Sequence, residues 1–199
     1  MEISLSDRLL QGAINIGAFA KKENYFFKWR YVMPAMAMLL LYIFLGKDLK
    51  GAITVSILAI AASYSTIYKR VIRIPSAIEL VVLGTVITSI SYGPVAGAIF
   101  GVTTTIASEV ISAAVDLFTF VYAFARGVIG VVAYFLAGMD IVLLGVLMTL
   151  LFNGICQPVY LLPGDFETKM KAVYFFTMNI TFNFIAFFFL GNFLLSVTA

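Results

Sequence analysis

The sequence predicts an all-α fold: a polytopic transmembrane helix bundle of six to seven spans, preceded by an N-terminal interfacial amphipathic helix. Three observations carry this expectation. Of 199 residues, 62% are hydrophobic and 12% charged, which leaves too little polar surface to cover a water-soluble globule. The apolar residues are gathered into long runs separated by short charged or Gly-Pro breaks. Most of the Lys and Arg residues stand beside those runs, as they do at a lipid headgroup boundary.

The first 30 residues, Met1–Arg30, form a juxtamembrane segment, and Tyr31–Ala199 forms the transmembrane domain. Met1–Ala20 does not read as a signal peptide, because an acid stands at position 2 and Lys21-Lys22 follow the apolar positions instead of preceding them. Ser6 is placed to cap a helix whose Leu9, Leu10, Ala13, Ile14 and Gly17 share one face, able to lie on a membrane surface. Tyr25, Phe26, Phe27, Trp29 and Tyr31, mixed with Lys28 and Arg30, make an aromatic and basic belt. The first span, Tyr31–Gly46, is short, with Pro34 at a first-turn or kink position. Lys47–Lys50 turns the chain into Gly51–Tyr68, where Ala52, Ser56, Ala59 and Ser63 suit close helix contact.

Ile74–Tyr92 and Pro94–Val115 form a hairpin about a Gly93-Pro94 break. Gly93, Gly97 and Gly101 recur every four residues with Thr105 next, so one helix face is nearly bare and another helix, in this chain or in a partner, can approach its backbone. Leu117–Ala137 follows, then Ile141–Leu162 after a turn at Asp140, a charged loop from Pro163 to Lys171, and a Phe-rich span Ala172–Val197. With the N terminus in the cytoplasm, ten Lys and Arg residues fall inside (Arg8, Lys21, Lys22, Lys28, Arg30, Lys69, Arg70, Arg73, Lys169, Lys171) and two outside (Lys47, Lys50), leaving Arg126 within a span. That asymmetry predicts a multi-pass protein of the cell membrane with a cytoplasmic N terminus.

Several functions are argued against. The chain has no histidine and one cysteine, Cys156, so no cysteine metal centre, disulfide framework or Ser-His-Asp arrangement can be built. No phosphate-cradling loop with its Lys and Ser/Thr is present. The net charge of +3 is distributed beside spans rather than along a stripe of its own, which suits anionic lipid and not nucleic acid. No cofactor, no metal and no catalytic residue is expected.

Five ionisable residues lie in or near spans: Glu79, Glu109, Asp116, Arg126 and Asp140. A carboxylate there must be paired, protonated or wetted, and a guanidinium must find an acceptor. Glu109 and Asp116, continuing the glycine stripe, are the expected partners of Arg126; Glu79, about one turn into a helix starting near Pro75, is expected to be structural, reaching Arg73 or the helix N terminus. The pairing around Arg126 serves either to fix helix register or to hold a ligand. Two amide pairs at i, i+4, Asn153 with Gln157 and Asn179 with Asn183, place donors and acceptors on single faces, to line a cavity or to join helices. The seven Phe residues around the second pair are expected to be largely lipid-facing, and Thr103–Thr105 with Ser108 to bond their own helix backbone.

At IPSAIELVVLGTVITSISYGPVAGAIFG, with a weaker echo at Ala125-Arg126-Gly127 followed by Gly130, the chain resembles the membrane-embedded substrate-binding S components of energy-coupling factor (ECF) transporters. Small-residue spacing of this kind is also similar to that of MreD-like cell-shape membrane proteins. The first resemblance implies a bundle that binds a vitamin or other small micronutrient and docks on a transmembrane coupling subunit carrying two cytoplasmic ATPases, hydrolysing nothing itself. In that case Glu109, Asp116, Arg126, Asn153, Gln157, Asn179 and Asn183 are candidates for substrate binding. That family has six spans and both termini inside, whereas the spans here number seven with the C terminus outside. The alternative is a non-catalytic scaffold or assembly subunit whose glycine face binds another protein. An integral membrane enzyme using Glu109 or Asp116 on lipid ranks last, since no clustered carboxylate or metal motif accompanies them.

Overall fold

The computed structural model describes residues 49–70, 77–162 and 166–198. The expected interfacial helix within Met1–Arg30, the first span at 31–46 and the contacts of Arg73 lie outside the described residues. Most of the described residues are helical, and none of them forms a strand. The helices are α1 (Leu49–Tyr64), α2 (Val81–Tyr92), α3 (Pro94–Ile111), α4 (Leu117–Phe135), α5 (Ile141–Leu161), α6 (Phe166–Ala186) and α7 (Asn192–Thr198). A 3-10 turn, Ile67–Arg70, follows α1, and a π-helical turn, Phe187–Gly191, joins α6 to α7.

Five segments are long and apolar enough to cross a membrane: Lys50–Lys69, Pro94–Ile111, Leu117–Phe135, Ile141–Leu161 and Lys169–Thr198. They are compatible with the membrane protein that composition predicts. The last has 30 residues, about 45 Å of helix against a hydrocarbon core of about 30 Å, so it tilts or protrudes.

Where a full span was expected over Ile74–Tyr92, the helix is only α2, 12 residues long. Every residue from Val81 to Ser89 is buried, and α2 touches each of the other described helices. A 12-residue helix rises about 18 Å, too short to cross the membrane alone. It starts inside the protein, and the irregular stretch before it is tolerated because other side chains saturate its backbone. Asn179 Nδ2 donates to the Ala77 carbonyl at 3.3 Å, Ile78 N–H to Tyr68 Oη at 3.2 Å and Leu80 N–H to Ser65 Oγ at 3.2 Å. Val81 N–H donates to Glu79 Oε2 at 2.8 Å. Glu79 therefore precedes the helix instead of lying one turn inside it, though it does serve the N terminus as expected.

Gly93 takes φ +96° and Pro94 opens α3, the hairpin that the Gly-Pro break predicts: glycine accepts the left-handed backbone and proline fills a position that needs no N–H donor. The small-residue stripe of α3 then does most of the packing. A Cβ on Gly97 would lie 2.5 Å from Ser89 Cβ and 3.0 Å from the Gly130 carbonyl oxygen. One on Gly101 would lie 2.8 Å from the Arg126 carbonyl oxygen. Gly130 faces Gly97 in return, and its carbonyl accepts from Ser89 Oγ at 2.5 Å. Helices α2, α3 and α4 thus meet backbone to backbone. Lipid tails are as apolar as side chains, so such contact and hydrogen bonding, rather than escape from water, hold the helices together. Gly93 stands apart, with nothing within 4 Å of where its Cβ would sit.

The bundle is tied at both ends. Ser91 Oγ meets Thr198 Oγ1 at 2.7 Å, and Gly51 admits the Tyr92 hydroxyl. At the other end Thr66 and Ser112 share two hydrogen bonds, 2.8 and 2.9 Å long. Helix α3 closes there with Ala113 N–H bonding the Val110 carbonyl and Ala114 N–H the Glu109 carbonyl, Ala113 at φ 54° holding the position glycine usually takes. The expected helix contacts of α1 are made through Ala52, Ala59 and Ser63, all buried. The Phe-rich span divides: Phe184, Phe188 and Phe189 are exposed, while Phe175 and Phe187 are buried. The π turn brings Phe187 onto Gly145.

Substituting Gly130→Ala forces a methyl against the Gly97 backbone and is expected to cost about 1–3 kcal/mol. Gly154→Ala, where nothing lies within 4 Å, is expected to stabilise α5 by about 0.5–1 kcal/mol. Unfolding of the two variants in one detergent would show opposite shifts; equal shifts would contradict the seam.

Candidate functional site

The interior where α2 begins holds two deeply buried charges. Glu79 is 0% and Arg126 2% exposed, and Arg126 Nη2 lies 3.0 Å from Glu79 Oε1. Arg126 Nη1 donates to Thr105 Oγ1 at 3.0 Å, and the guanidinium carbon stands 4.7 Å from the centre of the Phe152 ring. The expected pairing of Arg126 with Glu109 and Asp116 is thus corrected: its carboxylate is Glu79. The reason is geometric. Gly101 lays α3 against α4 at Arg126, so Thr105, one turn on, meets the guanidinium, and Glu109, a further turn on, points at the 3-10 turn after α1. There Lys69 Nζ donates to both Glu109 oxygens at 2.7 and 2.9 Å.

Asp116 is exposed and outside this centre. It caps α4: Thr119 N–H donates to Asp116 Oδ1 and Asp116 N–H to Thr119 Oγ1, each at 3.0 Å. Asp140 caps α5 by accepting from the Val142 and Leu143 amides. Both acids are explained by orphan N–H groups at helix starts.

A second polar group adjoins the ion pair. Asn153 Nδ2 donates to the Thr149 carbonyl at 2.8 Å and to Asn179 Oδ1 at 3.0 Å. Asn179 Nδ2 reaches the Ala77 carbonyl, two residues before Glu79, and Asn183 Nδ2 donates to the Asn179 carbonyl at 2.9 Å. All three amides are 0% exposed. Asn153, Asn179 and Asn183 therefore join α5, α6 and the entry to α2, whereas Gln157, half-buried, donates to the Ala172 carbonyl at 3.0 Å and only links α5 to α6. Thr103, Thr104 and Thr105 do bond their own helix, with Thr105 additionally serving Arg126.

Beside Arg126 the rings of Phe118, Tyr122, Phe152, Tyr160 and Phe175 pack on one another, Phe118 and Tyr160 stacked with centroids 4.6 Å apart. Several buried polar atoms in this region make no hydrogen bond: Arg126 Nε, Asn153 Oδ1 and Asn183 Oδ1, and on α2 Thr88 Oγ1. Glu79 Oε1 is close to Arg126 but misaligned for a hydrogen bond. Such groups are costly in a low-dielectric interior and call for an occupant or a role. Among the described residues no group of three or more His, Cys, Asp and Glu is placed to hold a metal.

Two members of this centre escaped the sequence. Glu79 was readable as an acid beside a span, but its partner lies 47 positions along the chain, beyond any helical periodicity. The aromatic cluster draws on three helices and carries no local signature.

This geometry defines an α-helical protein with membrane-spanning segments and a charged, amide-rich centre. Comparison with protein-family models, curated proteins and solved structures finds no match.

Removing Arg126 as Arg126→Met leaves Glu79 a buried charge without a counter-ion and is expected to destabilise the fold by about 3–5 kcal/mol. Asp116→Asn keeps a competent cap and is expected to cost well under about 1 kcal/mol. Denaturation of both variants in the same micelles checks the ranking; a mild Arg126→Met together with a severe Asp116→Asn would reverse the assignment.

Proposed function

We propose that the chain is the substrate-binding membrane subunit of an ECF-type transporter, and that the centre formed by Glu79, Arg126, Asn153, Asn179 and Asn183 receives a small solute. One observation carries this reading: Arg126, Asn153 and Asn183 each keep a buried polar atom without a hydrogen-bond partner, in a bundle whose helix α2 begins inside the protein. Helices interrupted within a membrane protein expose backbone and side-chain polar groups that suit capture of a solute. The subunit hydrolyses no nucleotide; a transmembrane coupling subunit with cytoplasmic ATPases supplies the energy. It lies in the cell membrane with the N terminus in the cytoplasm, as the ten-to-two distribution of basic residues favours.

The scaffold alternative draws on the bare α3 face as a surface for another protein. Gly97 and Gly101 are already taken by Ser89, Gly130 and the Arg126 carbonyl within the same chain, which weighs against it.

Purification from the native membrane in mild detergent is expected to bring down a membrane coupling protein and ATPase subunits, identified by mass spectrometry. Recovery of cell-wall or cytoskeletal proteins in their place would favour the scaffold.

A further inference from the structure

Residues 65–69, where α1 gives way to the 3-10 turn, are bonded to two other parts of the bundle at once. Toward α3, Thr66 and Ser112 share two hydrogen bonds, and Lys69 Nζ donates to both oxygens of Glu109. Toward the approach to α2, Ser65 Oγ accepts from the Leu80 N–H and Tyr68 Oη from the Ile78 N–H, each at 3.2 Å. Ser65 gives its own proton to the Ala62 carbonyl at 2.7 Å, which leaves its oxygen free to accept. The two accepted amides flank Glu79, so the acid that neutralises Arg126 is suspended between two bonds to this one segment. Ile78 is 40% exposed and Glu79 is buried. The stretch is therefore a piece of the bundle wall, one side chain outward and the next inward.

We propose that residues 65–69 are a latch that governs access to the buried centre. Held against α3, the latch keeps Glu79 on Arg126. When it parts from α3, residues 77–80 travel with it, Glu79 is drawn off the guanidinium, and the wall opens beside the centre. The two sets of bonds differ in the way this needs. Those to α3 join hydroxyls and a partly exposed ion pair at the end of the spans, where water replaces a broken bond at small net cost. Those to the Ile78 and Leu80 amides sit in a wall that faces lipid, and a backbone N–H left unpaired there is expensive, so it stays with its acceptor. The opposite end of the bundle has a tie of its own between Ser91 and Thr198, but that tie bears on no residue next to Glu79.

The test uses the full chain in lipid nanodiscs and two rates resolved by mass spectrometry: alkylation of Cys156 by N-ethylmaleimide, and hydrogen exchange over residues 77–80. Cys156 is buried on the α5 face that carries Asn153 one turn earlier, so it reports access to the centre. Glu109→Gln loosens the latch. Thr66→Cys with Ser112→Cys fastens it by an oxidised crosslink, and Ser91→Cys with Thr198→Cys does the same at the other end, the hydroxyls being 2.8 and 2.7 Å apart in the two pairs. Glu109→Gln is expected to raise both rates about ten-fold, as the loss of one hydrogen bond would. The oxidised Thr66 and Ser112 pair is expected to return both toward wild type, and the Ser91 and Thr198 pair to leave them raised. Unchanged rates in Glu109→Gln, a rise in only one of the two, or no slowing by the Thr66 and Ser112 crosslink would overturn the latch. Equal slowing by both crosslinks would overturn it as well, by showing general stiffening. Should Glu109→Gln fail to fold by circular dichroism, the ratio of reduced to oxidised rates in the two crosslinked pairs decides by the same rule. No solute enters these measurements, so their outcome is independent of solute capture.

Discussion

The buried contact between Arg126 and Glu79 is the constraint around which the rest is arranged. A guanidinium near the middle of a membrane-spanning helix cannot lose its proton, and lipid cannot solvate it. The carboxylate it finds stands just before α2, and its other oxygen accepts from the Val81 amide. One acid thus neutralises the cation and caps α2. The short central helix depends on this, because its irregular approach would otherwise leave backbone groups unpaired in an apolar interior.

Placing α2 at the centre demands close approach on all sides, and glycine provides it toward α3 and α4. The backbones at Gly97 and Gly130 come near enough for Ser89 to bond the Gly130 carbonyl, and the Gly101 contact sets the height at which Thr105 meets Arg126. Packing and electrostatics are therefore coupled: the bare seam fixes which side chains reach the guanidinium. On the opposite side the asparagines of α5 and α6 close the centre over the Ala77 carbonyl.

Much of this was legible in the sequence wherever the signal was local. The apolar runs, the Gly93-Pro94 break, the four-residue small stripe and the need of Arg126 for a counter-ion all follow from composition or helical spacing. Pairing between distant segments did not follow. Glu109 and Asp116 continue the α3 stripe and looked like partners for Arg126, but Glu109 meets Lys69 and Asp116 is spent on the α4 start, a role its position before Leu117 and three residues before Thr119 could have suggested. The expected full span over Ile74–Tyr92 proved to be a 12-residue helix. Hydropathy does not distinguish a helix from buried irregular backbone saturated by Ser65, Tyr68 and Asn179, because those partners are distant in sequence. The amides were legible as two i, i+4 pairs: Asn183 does bond Asn179 along α6, while Asn153 and Gln157 each bond across to α6 and not to one another.

The solute capture proposed above draws on the same centre, where buried atoms of Arg126, Asn153 and Asn183 lack hydrogen-bond partners. The central claim beneath that is energetic coupling between Glu79 and Arg126. A double-mutant cycle with Glu79→Gln, which keeps an oxygen for the Val81 amide, and Arg126→Met measures it directly in unfolding experiments. The account predicts that the double variant recovers at least about 2 kcal/mol of the summed single losses, because neither charge is then left alone. Losses that add to within about 0.5 kcal/mol would contradict it.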